Sequence, residues 1–207
     1  MVLIRALPWR RMLLSLPILG LLAVIGDAFV EDDNFRIVNQ DVFRSGQLRV
    51  DEWREAYEEH PFRSIINLRG PNHGTSWYDV EVKFAAEHGV QHIDYPLSAR
   101  VAPSVKQMEQ LVSLMSSAPK PVLIHCDGGA DRSGLASGLY VYALDGASAV
   151  KATNQLSLWY GHFPWLASKT GAMDRALDSF MALHPPASGK PVGFHQLFNR
   201  TQTSLQG

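Results

Sequence analysis

Short apolar runs alternate with amphipathic segments along the middle of the chain. Three of these runs predict strands: the first is β-branched and predicts a buried strand, and the last is too short for a helix. An earlier segment, "RIVNQDVFRSG", predicts a pair of strands or a strand with a turn. The three apolar runs are "SIINLRG" (64–70), "VQHIDYPL" (90–97) and "PVLIHC" (121–126).

Amphipathic segments between and after these runs predict helices. Two of them show one apolar face, formed by Trp53, Ala56 and Tyr57 in the first and by Trp77, Val80, Phe84 and Ala85 in the second. Strands that alternate with helices predict an α/β fold with a central, mostly parallel sheet flanked by helices. The predicted helices are 50–60, 77–89, 104–118 and 133–146, with two more near 147–160 and 170–183.

The two ends of the chain differ from the middle. Arg5, Arg10 and Arg11 precede an apolar run from Met12 to Gly26, an order typical of a secretory signal. A bilayer span needs about 20 residues, so residues 1–30 are predicted to be a signal peptide or a single-pass membrane anchor. The folded domain (31–184) would then lie outside the cytoplasm, in the periplasm if the source is bacterial. Residues 185–207 predict a flexible tail.

Composition narrows the classes of function. The chain has 207 residues, 46% of them hydrophobic, which is enough for one core of ordinary size. A formal net charge of -1 gives no sign of a nucleic-acid-binding surface, so any anion site must be local. A single cysteine excludes an intramolecular disulfide and a cysteine-based zinc site.

That cysteine lies in "HCDGGADRSG" (125–134), between a predicted strand and a predicted helix. The glycines allow a tight turn with N–H groups aimed inward, and the helix adds its positive end to the same concavity. An arginine at the start of the helix can bind two oxygens of one anion. The pattern predicts a phosphate cradle made by Asp127, Gly128, Gly129, Ala130, Asp131 and Arg132.

The same surroundings favour the thiolate form of Cys126. A thiolate beneath a bound phosphate is a nucleophile aimed at phosphorus. His125 is expected to orient the loop through hydrogen bonds, and Ser133 to hydrogen-bond the sulfur so that it leaves in a second step. This chemistry requires neither a metal nor a cofactor.

Cys, five residues, Arg and Ser, preceded by His, resembles the signature of the cysteine-dependent tyrosine and dual-specificity phosphatases. "DVFRSGQL" (41–48), "SIINLRG" and "HIDYPLS" (92–98) fall in the order seen in compact bacterial dual-specificity-like members. The resemblance covers roughly residues 35–160. It implies a tyrosine phosphatase-like fold and a hydrolase of phosphoric monoesters, with a phosphorylated protein or a small phosphomonoester as substrate.

One family residue is missing. The dual-specificity pattern has an aspartate acid in the loop after the stretch that contains Pro96, but no carboxylate occurs between Asp94 and Glu109. Asp131 is the first candidate, because an aspartate before the loop arginine resembles the "DRT" ending of the myotubularin and Sac-type phosphoinositide phosphatases. Asp94 and Asp127 are weaker candidates, the latter expected on the outer rim. The last alternative is that no protein acid acts.

Several residues are secondary candidates. Arg69 is either a second substrate-binding cation or half of a structural ion pair, and Arg100 is a candidate for a second phosphate. Arg44 and Ser45 either border the site or fix the loop. The aromatic segment "WYGHFPW" (159–165) is expected to belong to the core.

Three functions from different classes stay open. The leading one is a phosphatase acting through a phosphocysteine, on phosphoproteins or on inositol lipids and phosphates. Because Gly128 and Gly129 stand where lipid-specific loops carry basic residues, phosphoproteins are favoured mildly. The second is a phosphate-binding pseudophosphatase, which would not need Cys126. The third is a rhodanese-type sulfurtransferase, which the positions of His125 and Ser133 disfavour.

Overall fold

The computed structural model describes residues 33–164 and 171–185 of the chain. Apart from Asp33, all of the described residues belong to one compact unit, which begins at Asn34. The predicted signal or anchor segment lies outside the described residues, and so does the predicted tail beyond Pro185. Within the described part, no helix is both long and apolar enough to cross a bilayer.

A five-stranded mixed sheet forms the centre of the domain. Its strands are β1 (Arg36–Asn39), β2 (Val42–Ser45), β3 (Ser64–Asn67), β4 (Gln91–Asp94) and β5 (Val122–His125). Their order across the sheet is β1-β2-β5-β3-β4, and every neighbouring pair is parallel except β1 with β2. The α/β prediction is therefore confirmed in its coarse form, with one antiparallel edge strand made by the predicted strand pair.

Six helices surround this sheet in the described residues. They are α1 (Glu52–Glu59), α2 (Ser76–His88), α3 (Val105–Ser117), α4 (Arg132–Ala143), α5 (Ala149–Thr153) and α6 (Gly171–Leu183). The helix predicted over 147–160 is wrong in extent, because α5 ends at Thr153 and only a short 3₁₀ turn, Leu158–Tyr160, follows. At α2, Phe84 and Ala85 are buried as predicted, whereas Trp77 and Val80 are only half-buried.

The strands divide the core into two apolar clusters, because successive side chains of a strand point to opposite faces of the sheet. On β3 and β5, Ile65 and Leu123 pack in one cluster with Trp53, Phe62 and Phe84. Their neighbours Ile66, Val122 and Ile124 pack in the other. That second cluster is the larger, and it includes the buried faces of α3, α4 and α6.

Helix α4 is the most deeply buried helix, since every residue after Arg132 is buried. Its glycines allow neighbouring segments to approach the α4 backbone closely. A Cβ on Gly138 would lie 3.0 Å from the Ala152 oxygen and from Leu177 Cδ2, and one on Gly134 would lie 2.8 Å from Leu156 Cδ2. The small-residue pattern of "SGLASG" therefore reflects close packing against α5, α6 and the segment that follows α5.

The expectation for the aromatic segment 159–165 is wrong for two of its rings. Trp159 is 74% exposed and Phe163 is 44% exposed, while Trp165 lies outside the described residues. This segment contacts the rest of the domain through the Tyr160 backbone carbonyl and through the side chains of Tyr160 and His162 instead. His162 is buried, and the Tyr160 ring lies 4.3 Å from the Arg44 guanidinium carbon.

Phe180 provides a test of how α6 is held. Its ring is 1% exposed within the larger cluster, so Phe180→Ala is expected to lower the free energy of unfolding by about 3–5 kcal/mol. Leu183 is a matched control because it lies on the same helix but is exposed. Leu183→Ala is expected to change that free energy by no more than about 0.5 kcal/mol. Denaturant unfolding measures both, and equal losses would contradict this packing.

Candidate active site

The nucleophile candidate stands where β5 ends. Cys126 follows His125 directly, is almost fully buried, and places its Sγ 3.4 Å from Ser133 Oγ in the first turn of α4. Between them runs the loop 127–131, which we call the cysteine loop. The predicted contact between Ser133 and the sulfur is therefore present in the structure.

Four consecutive carbonyl groups of the cysteine loop accept hydrogen bonds from outside the loop. In a planar trans peptide the C=O and the following N–H point in opposite directions. The N–H groups of residues 128–131 therefore point away from these donors and toward the other side of the loop, as an anion cradle requires. The bonds run from Gln47 N–H to Asp127 O (2.8 Å), from Asn34 Nδ2 to Gly128 O (3.2 Å), and from Arg44 Nη2 to Gly129 O (2.8 Å) and Ala130 O (3.1 Å).

Arg44 provides two of these bonds and is itself fully buried. Its Nη1 donates to the Gln155 carbonyl at 2.8 Å, and its guanidinium stacks on Tyr160. Burial is the main reason that the pKa of Arg44 falls, to about 10, so the side chain still carries its charge at neutral pH. Of the two roles open for Arg44 in the sequence, the structure shows that it fixes the loop.

The two loop glycines differ in what the backbone demands. Gly129 has a φ of 67°, and a Cβ there would lie 2.6 Å from the Gly46 nitrogen. Gly128 has ordinary backbone angles, and a Cβ on it would meet nothing within 4 Å. Only Gly129 is required by the local geometry.

Arg132 begins α4 and points its guanidinium at the ends of two neighbouring segments. Its Nη1 donates to the carbonyl of Leu68 at 3.2 Å and, more weakly, to that of Leu97 at 3.5 Å. Its Nε is buried and has no hydrogen-bond partner among the described residues. A buried donor of this kind is costly unless a bound acceptor satisfies it.

His125 is fixed by a buried carboxylate that the sequence analysis missed. Its Nε2 lies 2.9 Å from Glu81 Oε1, and His92 Nε2 lies 2.7 Å from the same oxygen. Burial is the largest influence on Glu81 and raises its pKa. The charge and hydrogen bond of His125, with hydrogen bonds from His92 and Gln47, outweigh burial and lower the pKa to about 2. Glu81 is therefore an ionised buried group directly behind the nucleophile's histidine.

Glu81 also connects to the outer rim of the cysteine loop. Its Oε2 accepts from Gln47 Nε2 at 2.9 Å, and Gln47 Oε1 accepts from Arg69 Nη1 at 3.0 Å. Arg69 Nη2 lies 3.2 Å from Asp127 Oδ1, while the Arg69 guanidinium stacks 3.7 Å from the Trp77 ring centre. Asp127 is on the rim as predicted, with a side chain that is 69% exposed, and Arg69 forms the structural ion pair.

Asp94 has both carboxylate oxygens occupied. Oδ1 accepts from Asn67 Nδ2 at 2.8 Å, and Oδ2 accepts from the Tyr78 hydroxyl at 2.6 Å. Burial, and then the contact with Asp94, raise the pKa of Tyr78 to about 12, so this hydroxyl keeps its proton. These bonds tie Asp94 into the sheet edge and favour a structural role.

Asp131 is bound on one side only. Its Oδ1 lies 2.7 Å from His162 Nδ1, and its Oδ2 has no hydrogen-bond partner in the described part of the chain. The carboxyl is 22% exposed. Of the three candidates for the acid, Asp131 alone combines partial burial with a free oxygen.

The two remaining secondary candidates, Arg100 and Ser45, make no side-chain hydrogen bond with the cysteine loop in the described residues. Arg100 is exposed, and its backbone N–H donates to Ser98 Oγ. Ser45 is buried and its hydroxyl donates to the Gly46 carbonyl. The structure does not bring either side chain into the cysteine loop.

Four supporting residues escaped the sequence analysis: Asn34, Gln47, Glu81 and His162. Glu81 had a usable signal, since it lies one turn from Trp77 and from Phe84 on the apolar face of a predicted helix, where a carboxylate requires a partner. The other three lie in turns or irregular segments, where periodicity carries no information about burial.

A buried cysteine under inward-pointing N–H groups, followed by an arginine at a helix start, places the site in the cysteine-dependent phosphatase class. Residues 26–169 match the family described as DSP-PTPase phosphatase fused to NAD+ kinase, and the chain belongs to this family. The predicted phosphatase family is thereby confirmed. No curated protein is significantly similar to the chain in sequence.

Solved structures share the fold at low sequence identity. TpbA of P. aeruginosa is 14% identical, with a TM-score of 0.57 over 72% of this chain and 89% of that one. The core catalytic domain of the PP-IP phosphatase SIW14 from S. cerevisiae is 18% identical, with a TM-score of 0.55 over 73% and 92%. Tk-PTP in its active form is 19% identical, with a TM-score of 0.54 over 70% and 97%.

Glu81 is expected to be essential for the stability of the site. Glu81→Gln removes the buried carboxylate that contacts His125, His92 and Gln47, so the free energy of unfolding should fall by about 3–5 kcal/mol. The exposed Glu87 on the same helix is the matched control, and Glu87→Gln should change that free energy by no more than about 0.5 kcal/mol. Denaturant unfolding at neutral pH compares the two variants.

The pH dependence of the Glu81 contribution follows from its lowered pKa. Stability from such a carboxylate is fully present above its ordinary value of 4.5 and is lost as the pH falls toward about 2. The stability difference between wild type and Glu81→Gln should therefore shrink over that window. A difference that stays constant from pH 5 to pH 2 would contradict the assignment.

Proposed function

We propose that the chain is a phosphomonoester hydrolase that works through a phosphocysteine intermediate on Cys126. The observation that carries the proposal is the pairing of two sets of donors around one buried thiol. The N–H groups of the cysteine loop point away from Arg44, and the buried Arg132 Nε has no described partner. A phosphoryl group bound over the sulfur would satisfy both sets of donors.

The reaction has two displacements. In the first, the Cys126 thiolate attacks phosphorus, an S–P bond forms, and the P–O bond to the leaving group breaks as that oxygen takes a proton. In the second, water attacks phosphorus, loses a proton and releases inorganic phosphate, and the S–P electrons return to sulfur. The Ser133 hydroxyl, 3.4 Å from Sγ, stabilises the departing thiolate.

We propose Asp131 as the proton donor, through its free Oδ2. In the first step Oδ2–H gives its proton to the leaving oxygen, and in the second the carboxylate accepts a proton from the attacking water. The loop after Pro96 offers Arg132 the backbone carbonyl of Leu97 and carries no carboxylate side chain. The cysteine loop itself carries Asp131, whose Oδ2 has no hydrogen-bond partner in the described part of the chain.

The substrate class that we favour is a phosphoprotein, with phosphotyrosine first. General acid catalysis is worth about 10²–10⁴-fold, and aryl esters depend on it least because their leaving oxygen is weakly basic. TpbA has been solved in complex with pTyr, and SIW14 is a PP-IP phosphatase. Inositol phosphates are the second candidate, supported by the aspartate that precedes Arg132.

The first test is hydrolysis of an aryl phosphate by the full chain, in reducing buffer with a chelator and no added metal. Wild type should turn over, and Cys126→Ser should lose all measurable activity because the hydroxyl is a far weaker nucleophile than a thiolate. Acid-quenched samples of wild type should contain phosphate bound to the protein. A wild type that binds vanadate yet never turns over would contradict the proposal and support a phosphate-binding pseudophosphatase.

The second test concerns Asp131. Asp131→Asn should lower kcat/KM for a phosphoserine peptide by about 10²–10⁴-fold and much less for the phosphotyrosine version of that peptide. Asp127→Asn is the matched control, since Asp127 lies on the exposed rim of the same loop. If Asp131→Asn lowers kcat/KM equally for both esters, Asp131 is not the general acid.

A further inference from the structure

His162 is buried between two carboxyl groups from different parts of the fold. Its side chain is fully buried, and both of its ring nitrogens are engaged. Nδ1 lies 2.7 Å from Asp131 Oδ1 in the cysteine loop, and Nε2 lies 2.9 Å from Asp174 Oδ2 in the first turn of α6. We call these three side chains the His162 clamp.

The number of hydrogens at these two contacts points to the state of the ring when both carboxyl groups are ionised. Each nitrogen–oxygen contact needs one hydrogen, and an ionised carboxylate oxygen can only accept. A ring that donates from both nitrogens is an imidazolium. The charges that face it are Asp131 from the cysteine loop and Asp174 from α6, and Arg44 is the cation that interacts with Asp131 from β2.

The electrostatics agree with this count. Burial is the largest influence on His162 and lowers its pKa, but the hydrogen bonds and charges of Asp131 and Asp174 outweigh it and raise the pKa above its ordinary value. Asp174 neutralises the imidazolium. The contact with Asp131 needs only that Oδ1 accept a hydrogen bond, which a carboxyl group that carries its proton on Oδ2 can still do, although less strongly than a carboxylate.

The segment that carries His162 is itself attached to the cysteine loop. Asn34 Nδ2 donates both to the Gly128 carbonyl, at 3.2 Å, and to the Tyr160 carbonyl, at 2.9 Å. Arg44 likewise bonds the loop carbonyls while its guanidinium stacks on the Tyr160 ring. His162 is therefore held in place independently of Asp131, as a residue that orients another must be.

We propose that His162 is a positioning residue, which fixes Asp131 by Oδ1 and leaves Oδ2 as the oxygen that exchanges the proton with substrate. This inference rests on the proposed function. Asp174 supports it by holding the far nitrogen of the ring, so that the first turn of α6 is connected to the chemistry although it does not touch the substrate.

The kinetic test compares one peptide in its phosphoserine and phosphotyrosine forms, using the full chain. His162→Gln should lower kcat/KM for phosphoserine by about 10- to 100-fold, because a displaced group loses its alignment, and should affect phosphotyrosine much less. The double variant with Asp131→Asn should be no worse than Asp131→Asn alone, since both act through one carboxyl. Equal losses on the two esters, or losses that add, would overturn the proposal.

His184→Gln is the matched control. His184 is a half-buried histidine whose ring also contacts a carboxylate, Glu109 at 3.0 Å, but it lies just beyond the other end of α6. This variant should keep the wild-type ratio of activities on the two peptides. If His184→Gln also lowers the phosphoserine activity selectively, then the selective loss in His162→Gln is caused by disturbed packing of α6, and the proposal fails.

A second readout does not require turnover. Nitrogen NMR of the wild-type ring should show both His162 nitrogens protonated at neutral pH, and Asp174→Asn should shift that titration to lower pH because one carboxylate is lost. A neutral His162 ring at pH 6 would overturn the clamp. Should the wild type prove inert, the proposed function fails while this measurement still decides whether the clamp exists.

Thermal stability gives a third readout of the clamp. A histidine whose folded pKa is raised contributes stability that is fully present below its unfolded value and is lost as the pH rises through the folded pKa. The Tm difference between wild type and His162→Gln should therefore be largest below about pH 6.5 and should shrink as the pH rises further. A difference that grows with pH would overturn the clamp.

Discussion

The site depends on one buried cation. β2 pairs with β5 in parallel register, so that Arg44 lies beside Ile124 and Ser45 beside His125. Because of this register, the Arg44 guanidinium lies beside the end of β5, on the side of the cysteine loop that carries its carbonyl groups. Burying a guanidinium is unfavourable unless its donors find acceptors. The two terminal nitrogens of Arg44 donate to the carbonyls of Gly129, Ala130 and Gln155, and these bonds turn the loop's N–H groups the other way.

Carboxylate–histidine contacts then secure the two ends of the same loop. At its start, Glu81 holds His125 from the α2 side of the sheet, and at its end, His162 holds Asp131 from the segment before α6. The histidine of each contact is fully buried, so removing its carboxyl partner leaves a buried polar group without that hydrogen bond. The loop is therefore connected to α2 on one face of the sheet and to α6 on the other, so its conformation depends on the packing of both helices.

The sequence predicted the parts of this arrangement that lie close together along the chain. The strand, the turn and the helix around Cys126 follow from residue types within ten positions, and Arg132 and Ser133 fall where their chemistry requires them. Contacts made across the fold could not be predicted in the same way. His162 was grouped with aromatic residues expected in the core. It is buried because two carboxyl groups bind it, whereas Trp159 and Phe163 beside it face solvent.

Gly128 bears on the substrate more directly than Gly129 does. At Gly129 a side chain would collide with the backbone of β2's end, so glycine is required by folding. At Gly128 a Cβ would meet nothing within 4 Å, so the immediate surroundings leave room for a side chain, such as a lysine or an arginine that would attract further phosphate groups. The sequence nevertheless supplies no charge there. Because recognition of a highly phosphorylated ligand gains most from cations beside the cradle, this position favours a substrate whose negative charge is confined to the one phosphoryl group over Cys126.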